Sequence, residues 1–220
     1  VSGSVTYLPL YEQAVLGASP TEAGMALAPM LVSWPIASTL AGRALPRVGY
    51  RPLVRGGALV SAVSAGLLLA ALQARLGLAA LGACVALLGV GMGVTSVAAM
   101  IAVQETAAFR ERGVATASNM FSRTIGGALA VGGMGAVIAG AVGAHASPEL
   151  LNELLGPERG RGLAPDVIAT LSGDLAAGAG QAFAVLVCLA VVGALVGLAF
   201  PHMPPPTRAP EAGAEDGGGA

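Results

Sequence analysis

The sequence predicts an all-α integral membrane protein of six spans with the first span truncated, and three observations lead there. The first is composition. Of 220 residues, 55% are hydrophobic and only 10% charged, against roughly a quarter charged in ordinary globular domains. With a mean hydropathy of +0.77, the chain lacks the polar side chains that would cover a soluble fold of this size. The second is the spacing of charge. Residues 23–42, 56–74, 76–104, 124–144 and 175–201 contain no Asp, Glu, Lys or Arg, and a helix needs about 20 apolar residues to cross a hydrocarbon core of roughly 30 Å. The third is that basic residues collect unevenly in the breaks between these runs, which is how multi-spanning proteins encode their orientation.

Taken in order, the spans are expected at about 1–17, 22–42, 53–74, 77–104, 113–143 and 178–200. An outer loop of 144–177 and a tail of 204–220 complete the chain. The first segment reads as the last part of a span, because the chain opens at Val1 inside an apolar run, and the expectation is a fragment whose beginning is missing. Pro29 and Pro35 lie inside the second span, where each removes one intrahelical hydrogen bond and favours a kink. In the outer loop, SPELLNELLG (147–156) has a capping serine, a proline suited to the first helical position, and a terminating glycine. Its leucines form one face, which suits a short helix lying on the membrane surface. APDVIATL (164–171) is expected to form a second such turn or two. The tail, rich in Pro, Gly and acids, is expected to be disordered.

Arg43, Arg47, Arg51, Arg55, Arg110, Arg112 and Arg208 fall on one side, against Arg75, Arg159 and Arg161 on the other. The excess assigns the 43–55 side and the C-terminus to the cytoplasm. Every basic residue is arginine, and Ala and Gly abound, as in a GC-rich bacterial coding sequence; the expected location is therefore a bacterial inner membrane. A formal net charge of −1 implies no attraction to nucleic acid. Cys84 and Cys188 both sit in apolar runs without metal-ligand spacing, so neither metal nor cofactor is expected. An intramembrane hydrolase would need a nucleophile beside a base. The two histidines, His145 and His202, fall at span ends on opposite sides, and no Ser or Cys has a partner base.

Few ionisable residues sit at membrane depth. Glu12 follows Tyr-Leu-Pro-Leu-Tyr near the outer end of the first span. It reads either as an interfacial glutamate in an aromatic belt with Tyr7 and Tyr11, or as a proton or cation site. Arg123 lies roughly nine residues beyond the arginine-rich loop, about 13 Å along a helix. It reads as a snorkelling residue bracing the inner helix ends, or else as a substrate ligand. Gln104 and Glu105 close the fourth span, where Glu105 is in reach of Arg43, Arg110 or Arg112, or is a plain helix-end carboxylate. Glycines at 89, 91, 93, 126, 127, 132, 133, 135, 140, 193 and 197 let helix backbones approach closely, either as static packing or as faces that slide during a transport cycle.

YLPLYEQAVLGASPTEAGMALAP, GRALPRVGYRPLVRGG and AVQETAAFRERGVATASNMFSRTIGGALAVG resemble successive segments of the major facilitator superfamily, most closely its fourteen-span drug:proton antiporter branch. The resemblance implies a six-helix half of that fold, the C-terminal half, one of two surrounding a central cavity and rocking for alternating access. It further implies that Gly42, Arg43, Arg47, Gly49 and Arg51 form an inner-gate loop, with glycines for a tight turn and arginines for charge pairs. Asn119, Arg123, Gly126 and Gly127 fall on family-typical positions, the two glycines in helix packing. Two departures are visible: Pro46 stands where that loop usually carries an Asp, and Glu12 stands where the residue before Gln13 is usually apolar. The implied function is proton-coupled export of hydrophobic or cationic small molecules. The implied partners are the lipid bilayer, the cargo and protons, and an N-terminal half of the same polypeptide. A dedicated exporter of a metabolite, siderophore or antibiotic has the same architecture, and a truncated, non-transporting membrane protein is the remaining alternative.

Overall fold

The structure, a computed structural model, describes residues 2–143 and 165–200. Within them it is wholly helical: α1 Ser2–Ala14, α2 Pro20–Val48, α3 Tyr50–Gln73, α4 Leu78–Thr106, a single 3-10 turn Phe109–Glu111, α5 Arg112–Val142 and α6 Pro165–Leu198. Five of these segments are long and apolar enough to cross a membrane. The first helix, at 13 residues, extends only about 20 Å. The short surface helix expected at 147–156 and the tail lie outside the described residues.

Local chemistry explains the helix ends. The second helix opens with a full capping box: Ser19 Oγ accepts from the Glu22 backbone N–H, and the Glu22 carboxylate accepts from the Ser19 backbone N–H at 2.8 Å. Pro20 takes the first-turn position where its missing N–H costs nothing. The third helix ends in a Schellman motif. Arg75 adopts a positive φ of 49°, its N–H donates to Leu72 O, and the Leu76 N–H donates to Ala71 O at 3.0 Å. Glycine is the usual occupant of such a position, and arginine here carries the strain of a Cβ.

Two breaks differ from the apolar pattern. The segment after Arg43 stays helical to Val48, and α3 starts at Tyr50, so a single residue, Gly49, joins them. Its φ of 84° and ψ of 171° belong to a region essentially reserved for glycine. The charges end the apolar run without ending the helix, since arginine is itself a good helix former, and the helix runs on through Pro46 to its end two residues later. Likewise APDVIATL is the opening of α6, not a separate turn. Pro165 starts that helix, and no proline follows within it to break the backbone ladder.

The core is a three-helix stack. Since α4 is apolar on every side, it needs cover on every side, and α2 and α3 clasp it from different faces. Gly89 and Gly93, four residues apart, share the face toward α2. A Cβ on Gly93 would lie 2.7 Å from Trp34 O. Gly91, about 200° round the helix from each, faces α3, where its Cβ would lie 2.6 Å from Ser61 N and 2.8 Å from Gly57 O. Only backbones without side chains approach this closely. The same seams carry interhelical hydrogen bonds: Ser33 Oγ donates to Ala86 O at 2.8 Å, and Ser64 Oγ donates to Cys84 O at 2.6 Å. On the far side of α3 lies α6, which in turn carries α5. The short α1 fills the end of the stack, with Tyr7 and Tyr11 donating to Val131 O and Leu72 O, each at 2.8 Å.

Candidate functional site

Pairings along the stack put α2 parallel to α4, with Ala26 beside Gly82 and Gly42 beside Val97. The third helix runs opposite to both, with Gly57 beside Gly91 and Ser64 beside Cys84. One end of the bundle therefore gathers the α2–α3 junction, the α4–α5 connection and the end of α6. A small core of Leu45, Tyr50, Val54, Ala98 and Ala102, backed by Phe200, seals it.

Most of the expected gate residues stand at this end. Arg43 and Arg47 are exposed on the last turns of α2, Arg51 is half-buried on the first turn of α3, and Gly42 contacts α4. Among the described residues none of the three arginines forms an ion pair. The contact that does tie two helices here comes from Arg55, whose guanidinium donates to Leu198 O at the end of α6, where the helix dipole favours a cation. Glu105 is exposed at the end of α4 and meets no arginine partner among the described residues. Gln104 donates through Nε2 to Thr116 Oγ1 of α5 at 3.3 Å.

Midway along the bundle lies a cavity of about 390 Å³ lined by five helices. Trp34 comes from α2; Ala58, Ser61 and Ala65 from α3; Leu88, Met92 and Thr95 from α4. The α5 helix adds Arg123, Gly126, Gly127 and Ala130, and α6 adds Leu186, Leu189 and Gly193 among others. The surface is mainly hydrocarbon. The Arg123 guanidinium carbon lies 5.9 Å from the Trp34 ring centroid, within cation–π range. Ser61 and Thr95 turn their hydroxyl protons inward, donating to Gly57 O at 2.9 Å and Gly91 O at 2.8 Å of their own helices.

Arg123, Gly126 and Gly127 are thus brought together on the cavity wall, while Asn119, one turn earlier and half-buried, is not part of it. A Cβ on Gly126 would meet nothing within 4 Å, so this glycine borders the cavity instead of a neighbouring helix. Sequence reasoning passed over Trp34, Ser61 and Thr95. The signal was available for one of them: Trp34 is the chain's one tryptophan, and it stands between two prolines in the middle of a span, away from the interface where tryptophan usually gathers.

Glu12 is set apart from both regions, on α1. It is 0% exposed, and neither carboxylate oxygen has a hydrogen-bond partner among the described residues. Around it Leu8, Tyr11 and Ala14 join the large core shared with α5 and α6. A buried carboxylate is ordinarily paired or hydrogen-bonded, so this one is conspicuous.

Comparison with known proteins agrees with the architecture. Residues 1–131 match the family model of the Major Facilitator Superfamily. The chain is also 33% identical over 136 residues to the multidrug transporter protein MdtP of Bacillus subtilis (strain 168), an alignment that takes in 62% of this chain and 25% of that protein. The chain therefore spans about a quarter of the length of this relative.

Proposed function

Because this chain belongs to the major facilitator superfamily, we propose that it forms part of a proton-coupled secondary transporter that exports hydrophobic small molecules by alternating access. The observation that carries this reading is the mid-bundle cavity. It has contributions from five helices and an apolar wall, and the one relative named above is called a multidrug transporter. Pockets of this kind recognise ligands through shape and hydrocarbon contact, with a few polar groups setting orientation. The cavity is bordered by α5, whose Met120, Phe121 and Leu129 are exposed. In this reading the remaining helices of the transporter close it from that side.

Two further assignments belong to the same proposal. The arginine-rich end, with Gly42, Arg43, Arg47, Gly49 and Arg51, is the cytoplasmic gate, and its arginines, which form no ion pair among the described residues, make and break contacts as the halves rock. Glu12 is the proton-carrying group, since a carboxyl in a dry interior without partners is best accommodated by taking up a proton or cation.

Transport by the full-length gene in an efflux-deficient bacterial host tests the proposal. Expression should lower accumulation of fluorescent lipophilic dyes, an uncoupler should restore it, and Arg43→Ala with Arg47→Ala should remove the activity. Accumulation equal to that of the empty vector across dyes of every charge would refute export of such molecules.

A further inference from the structure

The charge of the cargo follows from the cavity's own chemistry. Resting on the reading that this cavity receives cargo, we propose that Arg123 is its charged recognition element, and that the site takes amphipathic organic anions in preference to lipophilic cations. Such anions are apolar bodies bearing a carboxylate, sulfonate or similar group.

Three observations converge. Among the described residues lining the cavity, Arg123 alone carries a formal charge, and neither Asp nor Glu borders it. Its guanidinium has no hydrogen bond or ion pair among the described residues and lies over the Trp34 ring, 5.9 Å from the centroid. A ring contact at that distance uses none of the guanidinium's N–H donors, which stay available to a ligand. Finally, the neighbouring hydroxyls have already committed their protons: Ser61 to Gly57 O and Thr95 to Gly91 O. An anion entering this space therefore finds its strong donor in Arg123, which offers up to five N–H groups in a fork matched to carboxylate geometry. A cation of the same shape meets a like charge set in a mainly apolar wall, with no acid on that wall among the described residues to offset it. Trp34 supplies a flat apolar surface beside the charge, which suits a molecule that is aromatic or aliphatic at one end and negative at the other.

The chain's one tryptophan stands at the site, so its emission reports occupancy. The full-length protein in zwitterionic nanodiscs would be titrated with tetraphenylborate and with tetraphenylphosphonium, an anion and a cation of nearly the same size and shape. A Trp34→Phe variant isolates the Trp34 signal, and empty nanodiscs correct for partitioning into lipid. The expected result is tighter binding of the anion by about tenfold or more, the scale of one unit charge acting over several ångströms in a partly screened site, since this pair of probes reads charge alone. That gap should vanish in Arg123→Gln and persist in part in Arg123→Lys. Equal or tighter binding of the cation, or an anion preference unchanged in Arg123→Gln, overturns the proposal while leaving the export reading intact. If neither ion alters Trp34 emission, the cavity is not a cargo site, and this proposal falls with that reading.

Discussion

Replacing Gly91 by alanine would drive a methyl group into the tightest seam of the bundle. The new Cβ would lie 2.6 Å from Ser61 N and 2.8 Å from Gly57 O, both backbone atoms, where ordinary contact begins at 3.4 Å. Backbone cannot swing aside as a side chain can, so α3 must retreat from α4 by roughly 0.6–0.8 Å, which loosens the Ser64–Cys84 hydrogen bond and the Gly57–Thr95 contact with it. Overpacking of this kind costs about 1–3 kcal/mol, offset by up to about 1 kcal/mol from alanine's better helix propensity. The midpoints leave a net loss of about 1–1.5 kcal/mol, and since each kcal/mol moves Tm by about 2–4 °C for a domain of this size, a drop of roughly 2–6 °C is expected. Gly126→Ala is the matched control. Its Cβ would meet nothing within 4 Å, so propensity alone acts and Tm should hold or rise. Both variants would be followed by thermal unfolding of the purified protein in detergent. If Gly91→Ala is as stable as the parent, or if the two substitutions shift Tm alike, the close-packed seam is not what holds α3 to α4.

Gly49→Ala should cost about 1–3 kcal/mol, since its φ of 84° holds a non-glycine residue in strain; chemical denaturation compares it with Gly56→Ala, where a Cβ has open space. Arg75→Gly should act in the opposite direction and stabilise by about 1 kcal/mol, because it relieves a Cβ at a left-handed helix end; a lower Tm would mean that the arginine side chain earns its place by another contact. Glu12→Gln keeps the shape and removes the ionisable group, so folding should be retained while uncoupler-sensitive transport is lost. Full gradient-driven efflux by this variant would remove Glu12 from the proton path.

Much of the fold could be read because the bilayer imposes one rule on every span, and long charge-free runs obey it visibly. What resisted reading were features that depend on neighbours. The sequence marks Gly89, Gly91 and Gly93 as small, but not that alternate members of the run face different partners. Charge at Arg43 and Arg47 marks where the apolar pattern stops, not where the helix stops, so a one-residue junction resembles a loop. The opening of α6 has the same ambiguity, with Asp166 and Asp174 interrupting hydrophobicity on a backbone that stays helical. The cavity was the least legible part. Arg123 stood out by its charge, but the residue it meets is 89 positions away on α2, and nothing in either local segment announces the other. Glu12 could be placed near a span end, yet its complete burial is a product of the packing of α1 against α2, α5 and α6.

The single glycine between α2 and α3 has a mechanical consequence. Two rods of 29 and 24 residues, about 43 and 36 Å long, are joined with no slack, and each is keyed to α4 by hydroxyls seated on particular carbonyls. Sliding α4 by one turn, about 5.4 Å, would unseat Ser33 from Ala86 and Ser64 from Cys84 together, sliding α2 or α3 would unseat one of the two, and the joint at Gly49 is too short to absorb the offset. The trio is therefore a lever that can tilt but not telescope. Whatever motion opens and shuts the space beside Trp34 must be delivered by whole-body rotation, with α5 as the loosely held edge against which the lever turns.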